Sequence, residues 1–388
     1  MRLIRFSGMA AVAAAVVTSV TGVTAGAAIA GGQDDGTQVP CSTTALTTAI
    51  VAASPGETLS LARDCTYHLT SVFDSSGEGL PPIAQSLTIR GNGATIVRDG
   101  LGTASFRIFR VTSGGNLRLE DLTVRGGRTS GNGGGILVDS GGRLTLVGVQ
   151  VIDNTSLNNS GGGVAVSTGA TAVVRRGWLA FNNAISGAGL YNRGTLSVDD
   201  SEFSRNHART VGGALFLDAG NAFVHASVVR RNTSATSGGG LTNSGTASLE
   251  VSESKITNNT TTGDEGGGIQ NLSKLTLEKT EVSGNVVGGT AGVGGGVYNA
   301  TGSAALVLKG SEVLRNSANG PGNSQAGGIY NDAGSVTLDH TNVRNNASTT
   351  APGGVFTTNP FTVIASSITR NIPTNCAGSP TVVTGCTN

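Results

Sequence analysis

Short apolar runs recur along the chain, and each set of runs begins after a cluster of glycines. The stretch GGGVYNATGSAALVLKGSEVLRN, residues 294–316, shows the unit: three glycines, an aliphatic residue, an alternating apolar run and a closing asparagine. The unit occurs nine times, with 25–32 residues between the centres of successive glycine clusters. These centres are Gly134, Gly162, Ala188, Gly213, Gly239, Gly267, Gly295, Gly327 and Gly353. A repeat of this length is typical of a solenoid.

Each repeat contains three runs in which apolar and polar residues alternate, which is the period of a β-strand. The third run has the form apolar-x-x-Asn, and Gly, Asn, Ser and Thr separate the runs. The closing asparagines are Asn154, Asn182, Asn206, Asn232, Asn259, Asn285, Asn316, Asn346 and Asn371. No segment of the repeat has helical spacing, so we predict three short strands per repeat.

Three strands per repeat predict an all-β fold, a single-stranded parallel β-helix of about twelve coils, in which equivalent residues form rows about 4.8 Å apart. The glycines are expected at one corner, where a positive φ or a close backbone approach excludes a Cβ. The asparagines are expected at another corner, where left-handed geometry suits Asn and stacked amides bond along the row. A propeller would need about 40 residues and four strands per blade, which the repeat does not offer.

The first thirty residues have the pattern of a targeting segment, a signal peptide. Arg2 and Arg5 precede an apolar stretch, and Ala28-Ile29-Ala30 has the small-x-small form of a cleavage site. The alternative is an uncleaved membrane anchor from about residue 9 to residue 30. We therefore expect an extracellular protein, either secreted or also associated with the cell wall, and no membrane span after signal cleavage.

The remaining chain divides by pattern. Residues 31–40 are predicted as a short linker, 41–127 as an N-terminal cap with irregular first coils, 128–371 as the nine-repeat β-helix and 372–388 as the C-terminal cap. A short capping helix is expected at 43–53. Cys41 and Cys65 lie before the repeats, and Cys376 and Cys386 lie after them. In an exported chain this grouping predicts one disulfide at each end, rather than four free thiols.

Composition narrows the choice of partner. The chain has 25 basic and 24 acidic residues, a net charge of +1, so we expect no nucleic-acid partner. Glycine accounts for 61 of the 388 residues, which fits a turn-rich repeat. Neither a Cys-x-x-Cys nor a Cys/His cluster occurs, and we expect no metal and no cofactor. We expect a monomer.

The repeat elements FSRN, VSGN and VLRN resemble those of chlamydial polymorphic outer-membrane proteins. The start CSTTALTTAI, CTYHLT, GLPPI and LTIRGNGATI, together with the TNC and GC end, resembles exported parallel β-helix repeat proteins of actinobacteria. This resemblance, from residue 38 onwards, implies a right-handed, pectin-lyase-like β-helix in a family that mostly lacks an assigned activity. Unlike the chlamydial proteins, the sequence shows no membrane-barrel segment after Cys386, so we do not expect an autotransporter.

Parallel β-helices often carry polysaccharide lyases and hydrolases, which need grouped carboxylates and a base. The best catalytic candidates are Asp199, Asp200, His225 and Glu253, in two rows at the turn after the second strand. Acidic and basic residues alternate along those rows, so cross-coil ion pairing is the structural alternative. A further row, Arg205, Arg231, Arg315 and Arg370, is either a grip for acidic glycans or a solvated face.

One outward row is rich in aromatic residues. By strand alternation, the residue after the first inward aliphatic points outward. The row is Leu137, Ala165, Tyr191, Phe216, Thr242, Gln270, Tyr298, Tyr330 and Phe356. We predict that its five aromatic residues form an exposed strip for sugar rings or a partner surface, whereas the structural alternative is ring stacking along a ladder.

The leading hypothesis is a non-catalytic protein that binds polysaccharide or a partner surface. The alternatives are a polysaccharide lyase or glycosidase, and a structural spacer of the cell envelope.

Overall fold

The computed structural model describes residues 36–75, 77–100, 102, 104–300 and 302–388. The predicted signal peptide and the first residues of the predicted linker lie outside the described residues. Gly36–Asn388 forms one compact unit.

Within the described residues the strands form four sheets, and every strand pairs in parallel with the equivalent strand of the next coil. The chain passes through the four sheets in turn, which gives a right-handed parallel β-helix of about eleven turns. The sheets are numbered I to IV in the order in which each coil visits them, and their strands are given in the next two paragraphs. The predicted β-helix is therefore confirmed, and the number of turns is close to the predicted twelve. The expected three strands per coil are sheets I to III. Sheet IV adds a fourth strand of two residues, directly after the closing asparagine, which is too short to show an alternating pattern.

The strand bounds follow the repeat. Sheet I follows the glycine corner and contains Phe109–Val111, Ile136–Val138, Val164–Val166, Leu190–Asn192, Leu215–Leu217, Leu241–Asn243, Ile269–Asn271, Val297–Asn299, Ile329–Asn331 and Val355–Thr357. Sheet II contains Thr37–Val39, Glu57–Leu61, Ser86–Arg90, Asn116–Glu120, Arg143–Val147, Thr171–Arg175, Thr195–Asp199, Asn221–His225, Ser248–Ser252, Lys274–Glu278, Ala305–Lys309, Ser335–Asp339 and Phe361–Ile364.

The other two sheets complete each coil. Sheet III contains Thr66–Leu69, Thr95–Arg98, Thr123–Arg125, Gln150–Ile152, Trp178–Ala180, Glu202–Ser204, Val228–Arg230, Lys255–Thr257, Glu281–Ser283, Glu312–Leu314, Asn342–Arg344 and Ser367–Thr369. Sheet IV contains Arg128–Thr129, Thr155–Ser156, Asn183–Ala184, His207–Ala208, Thr233–Ser234, Thr260–Thr261, Val286–Val287, Ser317–Ala318 and Ala347–Ser348.

The glycine triplets serve two different needs at one corner. The first glycine of a triplet is left-handed, as at Gly294 with φ +66°. The second and third lie against the backbone of the neighbouring coil: a Cβ on Gly295 would lie 2.5 Å from the Ser317 carbonyl oxygen. Both reasons for the glycine rows that the sequence suggested are therefore present, at different positions of the triplet.

The closing asparagines form a ladder inside the helix. From Asn154 to Asn371, each Nδ2 donates to the Oδ1 of the asparagine in the next coil, at 2.9–3.1 Å. The predicted amide ladder is confirmed, but the predicted backbone geometry was assigned to the wrong residue. The left-handed residue is the one before the asparagine, for example Arg231 and Asn258, both with φ 55°. The turn directs the following amide inward, where it bonds the next amide of the row and backbone groups of the neighbouring coils, as at Asn259.

A second buried amide ladder was not predicted. Asn243, Asn271 and Asn299 lie at an inward position of sheet I, and each Nδ2 donates to the next Oδ1 at 2.7–2.8 Å. Asn331 ends the ladder by donating to Thr357 Oγ1 at 3.0 Å. In the earlier coils this position holds Val138, Val166, Asn192 and Leu217, so the unbroken run of amides begins at Asn243.

The helix expected near the N-terminus and the disulfide expected near each end are present. The helix Thr43–Ala52 begins at Ser42, whose Oγ accepts a hydrogen bond from the Ala45 amide, and it buries Leu46. Disulfides Cys41–Cys65 and Cys376–Cys386 are both closed, which is typical of an extracellular or periplasmic protein. Part of the predicted linker is structured, since Thr37–Val39 pairs with Glu57–Leu61. Within the described residues, no helix has the length and apolar character to cross a membrane.

Candidate functional site

The aromatic row of sheet I has the register that the sequence predicts. Tyr191 pairs with Phe216, and Tyr298, Tyr330 and Phe356 pair in succession on three coils. Thr242 and Gln270 separate the two groups. Within each group, neighbouring rings are in contact. Tyr330 and Phe356 stack with centroids 4.4 Å apart and planes 7° apart, Tyr298 and Tyr330 are 5.7 Å apart, and Tyr191 and Phe216 are 5.5 Å apart.

The predicted exposed strip is wrong for the second group. Tyr298 and Phe356 are each only 8% exposed. Tyr330 and Phe356 lie face to face, and Tyr298 is tilted by 46° against Tyr330, so that neighbouring rings cover one another. The carboxylate of Glu265 adds cover, because it is hydrogen-bonded to Tyr298 and accepts a hydrogen bond from Gln270 Nε2 at 2.7 Å.

One ring of the row borders an open space. Ala165 precedes Tyr191 in the row, and its methyl group cannot cover the side of the Tyr191 ring that is turned towards it. A depression of about 340 Å³ lies there. Its lining includes Asn132, Ser140, Ala165, Thr168, Tyr191 and Arg193. An aromatic ring, a guanidinium group, hydroxyls and an amide thus surround one shallow site.

The polar groups beside this depression hold one another in place. Tyr191 donates its phenolic hydrogen to Asp218 Oδ2 at 2.9 Å, and Arg193 Nε lies 3.3 Å from the same oxygen. Burial, followed by the hydrogen bond to Asp218, raises the pKa of the Tyr191 phenol above its usual range. Tyr191 is therefore a hydrogen-bond donor at neutral pH and a poor general base.

The four catalytic candidates lie elsewhere, at the turn after sheet II. Asp199 pairs with His225 in the next coil, and His225 Nδ1 is 3.2 Å from Ser252 Oγ. Glu253 contacts Lys279 Nζ at 3.9 Å, which is the kind of cross-coil ion pair that the structural alternative predicts. Asp200, His225 and Glu253 are exposed. Among the described residues, no group of three or more His, Cys, Asp or Glu side chains is arranged to hold a metal ion.

A second aromatic surface was missed by sequence reasoning. Trp178, on the outward face of sheet III, makes an edge contact with Phe181 at 6.1 Å, and the Arg205 guanidinium lies 5.3 Å from the Phe181 ring centre. Phe181 is 41% exposed and left-handed, with φ 57°, in the row that also holds Arg205 and Arg231. The signal was present: Trp178 is the only tryptophan, and Phe181 is an aromatic residue immediately before a closing asparagine. Arg205, Arg231, Arg315 and Arg370 are all exposed.

Comparison with known proteins identifies the architecture. Residues 107–287 match the family described as "Right handed beta helix region". This match agrees with the handedness that the resemblance implied. No curated protein matches the chain.

Two solved structures with low sequence identity are similar over most of the chain. A periplasmic alginate epimerase, AlgG, is 11% identical, covering 85% of this chain and 83% of its own, with a TM-score of 0.43. An alginate lyase from Paenibacillus sp. str. FPU-7 is 11% identical, covering 84% of this chain and 99% of its own, with a TM-score of 0.39. Their activities are properties of those proteins.

Proposed function

We propose that this protein binds a polysaccharide without cleaving it, and that a sugar residue occupies the depression between Ala165 and Tyr191. The observation that carries the proposal is the uncovered side of the Tyr191 ring next to a guanidinium group and hydroxyls. Sugars combine an apolar ring face with many hydroxyl groups, so an aromatic surface beside convergent polar groups suits them. The rest of the aromatic row provides the rigid stack that holds Tyr191 in position.

Binding without cleavage is supported by the chemistry of the same residues. A lyase needs a base, and a glycosidase needs two carboxyl groups on opposite sides of the scissile bond. Tyr191 is held protonated, and Asp218 is engaged by both Tyr191 and Arg193. The carboxylates and the histidine at the turn after sheet II do not line the depression.

Substitutions in the row provide a matched test. Ala165→Phe should fill the depression and abolish binding. Phe216 occupies the equivalent position two coils on, with its Cβ against Gly212 as Ala165 lies against Gly161. Because Ala165 is only 1% exposed, the thermal midpoint of this variant is compared with that of the wild type. Tyr191→Ala should weaken binding at least tenfold. Tyr298→Ala, which also removes a ring with a carboxylate partner, should leave binding unchanged.

Binding is measured on a polysaccharide panel containing neutral and acidic polymers, followed by titration calorimetry with the tightest ligand. Tryptophan emission reports which face is used: binding at sheet I should leave the emission of Trp178 on sheet III unchanged. Release of reducing or unsaturated sugars from any polymer would contradict binding without cleavage. Wild-type affinity in Ala165→Phe would refute the site, and no binding to any polymer would favour the structural spacer.

A further inference from the structure

A second depression, of about 350 Å³, lies at the corner between sheets III and IV in the first coils. Its lining includes Arg98, Arg125, Gly126, Arg128, Asp153 and Thr155. It shares no lining residue with the depression beside Tyr191. The proposed polysaccharide site does not account for it.

The depression lies where a member of the corner row has no side chain. In most later coils the left-handed residue before the closing asparagine carries a side chain, as Asp153 and Phe181 do, and Gly284 is the other glycine of the row. In the coil before Asp153 the equivalent residue is Gly126, with φ +75°, which follows Arg125 just as Asp153 follows Ile152 in the paired strand. The missing side chain leaves the corner open above the arginines.

The arginines around this opening are held in different ways. Arg98 Nε donates to the Gly126 carbonyl oxygen at 2.7 Å, and its guanidinium lies 5.9 Å from the Phe106 ring centre. Arg125 Nε contacts Asp153 Oδ2 at 3.0 Å. Arg128 is exposed at the start of a two-residue strand, and its side chain makes no ion pair with any described residue.

The charges of the lining do not balance. Three guanidinium groups face one carboxylate, that of Asp153. The carboxylate of Asp99 contacts His68 at 2.7 Å and does not line the depression. Burial, and then the positive charge of Arg128, lowers the pKa of the Arg98 guanidinium, and the carboxylate of Asp99 opposes this shift. A bound anion would offset the excess of positive charge.

We propose that this corner depression binds a tetrahedral oxyanion, a phosphate or sulfate group, either free or as an ester on a larger molecule. Planar guanidinium groups donate paired hydrogen bonds to oxyanions, and three of them suit a group with three or more acceptor oxygens. Arg98 is anchored in advance, Arg125 is oriented by Asp153, and Arg128 is available to close on the ligand. The volume exceeds that of a phosphate group, so that the remainder of an ester fits in the opening.

Calorimetric titration with inorganic phosphate and with sulfate, at constant ionic strength, tests the proposal. We expect saturable binding of at least one anion by the wild type, and at least tenfold weaker binding by Arg128→Gln. Arg128 is exposed, so this variant should fold normally. The control Arg143→Gln removes the same charge from an exposed position that does not line the depression, and it should bind like the wild type.

The Nε–Hε resonance of Arg98 in an NMR titration provides a local readout, and it should shift with the anion in the wild type. Titration with glucose 6-phosphate and glucose 6-sulfate separates the two sources: tighter binding than the free anion indicates an ester, and weaker binding indicates the free anion. A non-saturable response, or an equal loss of binding in Arg128→Gln and Arg143→Gln, would overturn the proposal. None of these outcomes depends on polysaccharide binding at Tyr191.

Discussion

Removing one amide from the interior ladder should destabilise the coil stack far more than a substitution of the residue just before it in sequence. Asn259 is fully buried, and its side chain makes four hydrogen bonds. Its Oδ1 accepts from the backbone N and the Nδ2 of Asn232, at 3.0 and 2.9 Å. Its Nδ2 donates to the Val229 carbonyl oxygen and to Asn285 Oδ1, at 2.9 and 3.0 Å.

The size of the effect follows from which partners are left without a bond. In Asn259→Ala, Asn285 Oδ1 keeps the hydrogen bond from the backbone N of residue 259, and Asn232 Nδ2 still reaches the Phe203 carbonyl oxygen at 2.9 Å. The Asn232 backbone N–H loses its acceptor in a dry interior. Four lost bonds at about 1 kcal/mol each would cost about 4 kcal/mol. The cost is smaller for a partner that retains another hydrogen bond, so we expect a loss of about 3–4 kcal/mol in the free energy of unfolding. The control Asn258→Asp changes an exposed, left-handed residue whose row already contains Asp153, and it should change the free energy of unfolding by less than about 0.5 kcal/mol.

Urea denaturation followed by far-UV circular dichroism measures the global effect. Stacked coils need not unfold in a single step, so hydrogen exchange at the Asn232 amide supplies the local measurement. That amide should lose most of its protection in Asn259→Ala and keep it in Asn258→Asp. Unchanged protection of Asn232, or equal shifts of the urea midpoint in the two variants, would show that the ladder does not support the stack as argued.

Two further predictions concern the core and the tyrosines. Val297→Asp places a carboxylate at a fully buried position and should lower the free energy of unfolding by about 4 kcal/mol or more. Val307→Asp, at a half-buried outward position, should lower it by less than about 1 kcal/mol. Equal shifts of the thermal midpoint in the two variants would contradict the observed register. Burial is the main cause that raises the pKa of all four tyrosines, Tyr67, Tyr191, Tyr298 and Tyr330. Absorbance at 295 nm should therefore show well under half of them ionised at about pH 10, where about half ionise in urea. Because the folded state keeps these protons, the free energy of unfolding should fall as the pH rises above about 10; matching titration curves for folded and unfolded protein would refute this.

The sequence was sufficient to predict the architecture because the repeat makes each local signal recur. Alternation alone placed Val297 inside, where it is fully buried, and it placed Tyr298 in one row with Tyr330, with which it pairs. The cysteine grouping predicted both disulfides, and the helix at the N-terminal end was expected within one residue of its observed end. These features depend on pattern and spacing, which are visible in the chain without knowledge of side-chain contacts.

What the sequence did not predict depends on contacts between coils. The two-residue strand of sheet IV has no periodicity of its own. The left-handed geometry was assigned to the asparagine, because Asn tolerates a positive φ. In the structure the asparagine side chain is hydrogen-bonded in the interior, and the residue before it has the positive φ. The aromatic row was expected to be exposed because its residues point outward. Outward direction and exposure differ here, since stacked rings such as Tyr330 and Phe356 cover each other.

The same covering explains where sites can form on this fold. In a β-helix each outward side chain has a neighbour of the same row about 4.8 Å away on either side, so a row of large residues presents edges and leaves no hollow. Along such a row, a hollow can form where a small member lies beside a large one. Ala165 beside Tyr191 meets this condition on sheet I, and Gly126 beside Asp153 meets it at the corner of sheets III and IV. In such a repeat, the informative position for binding is the one where the side chain of the row is missing.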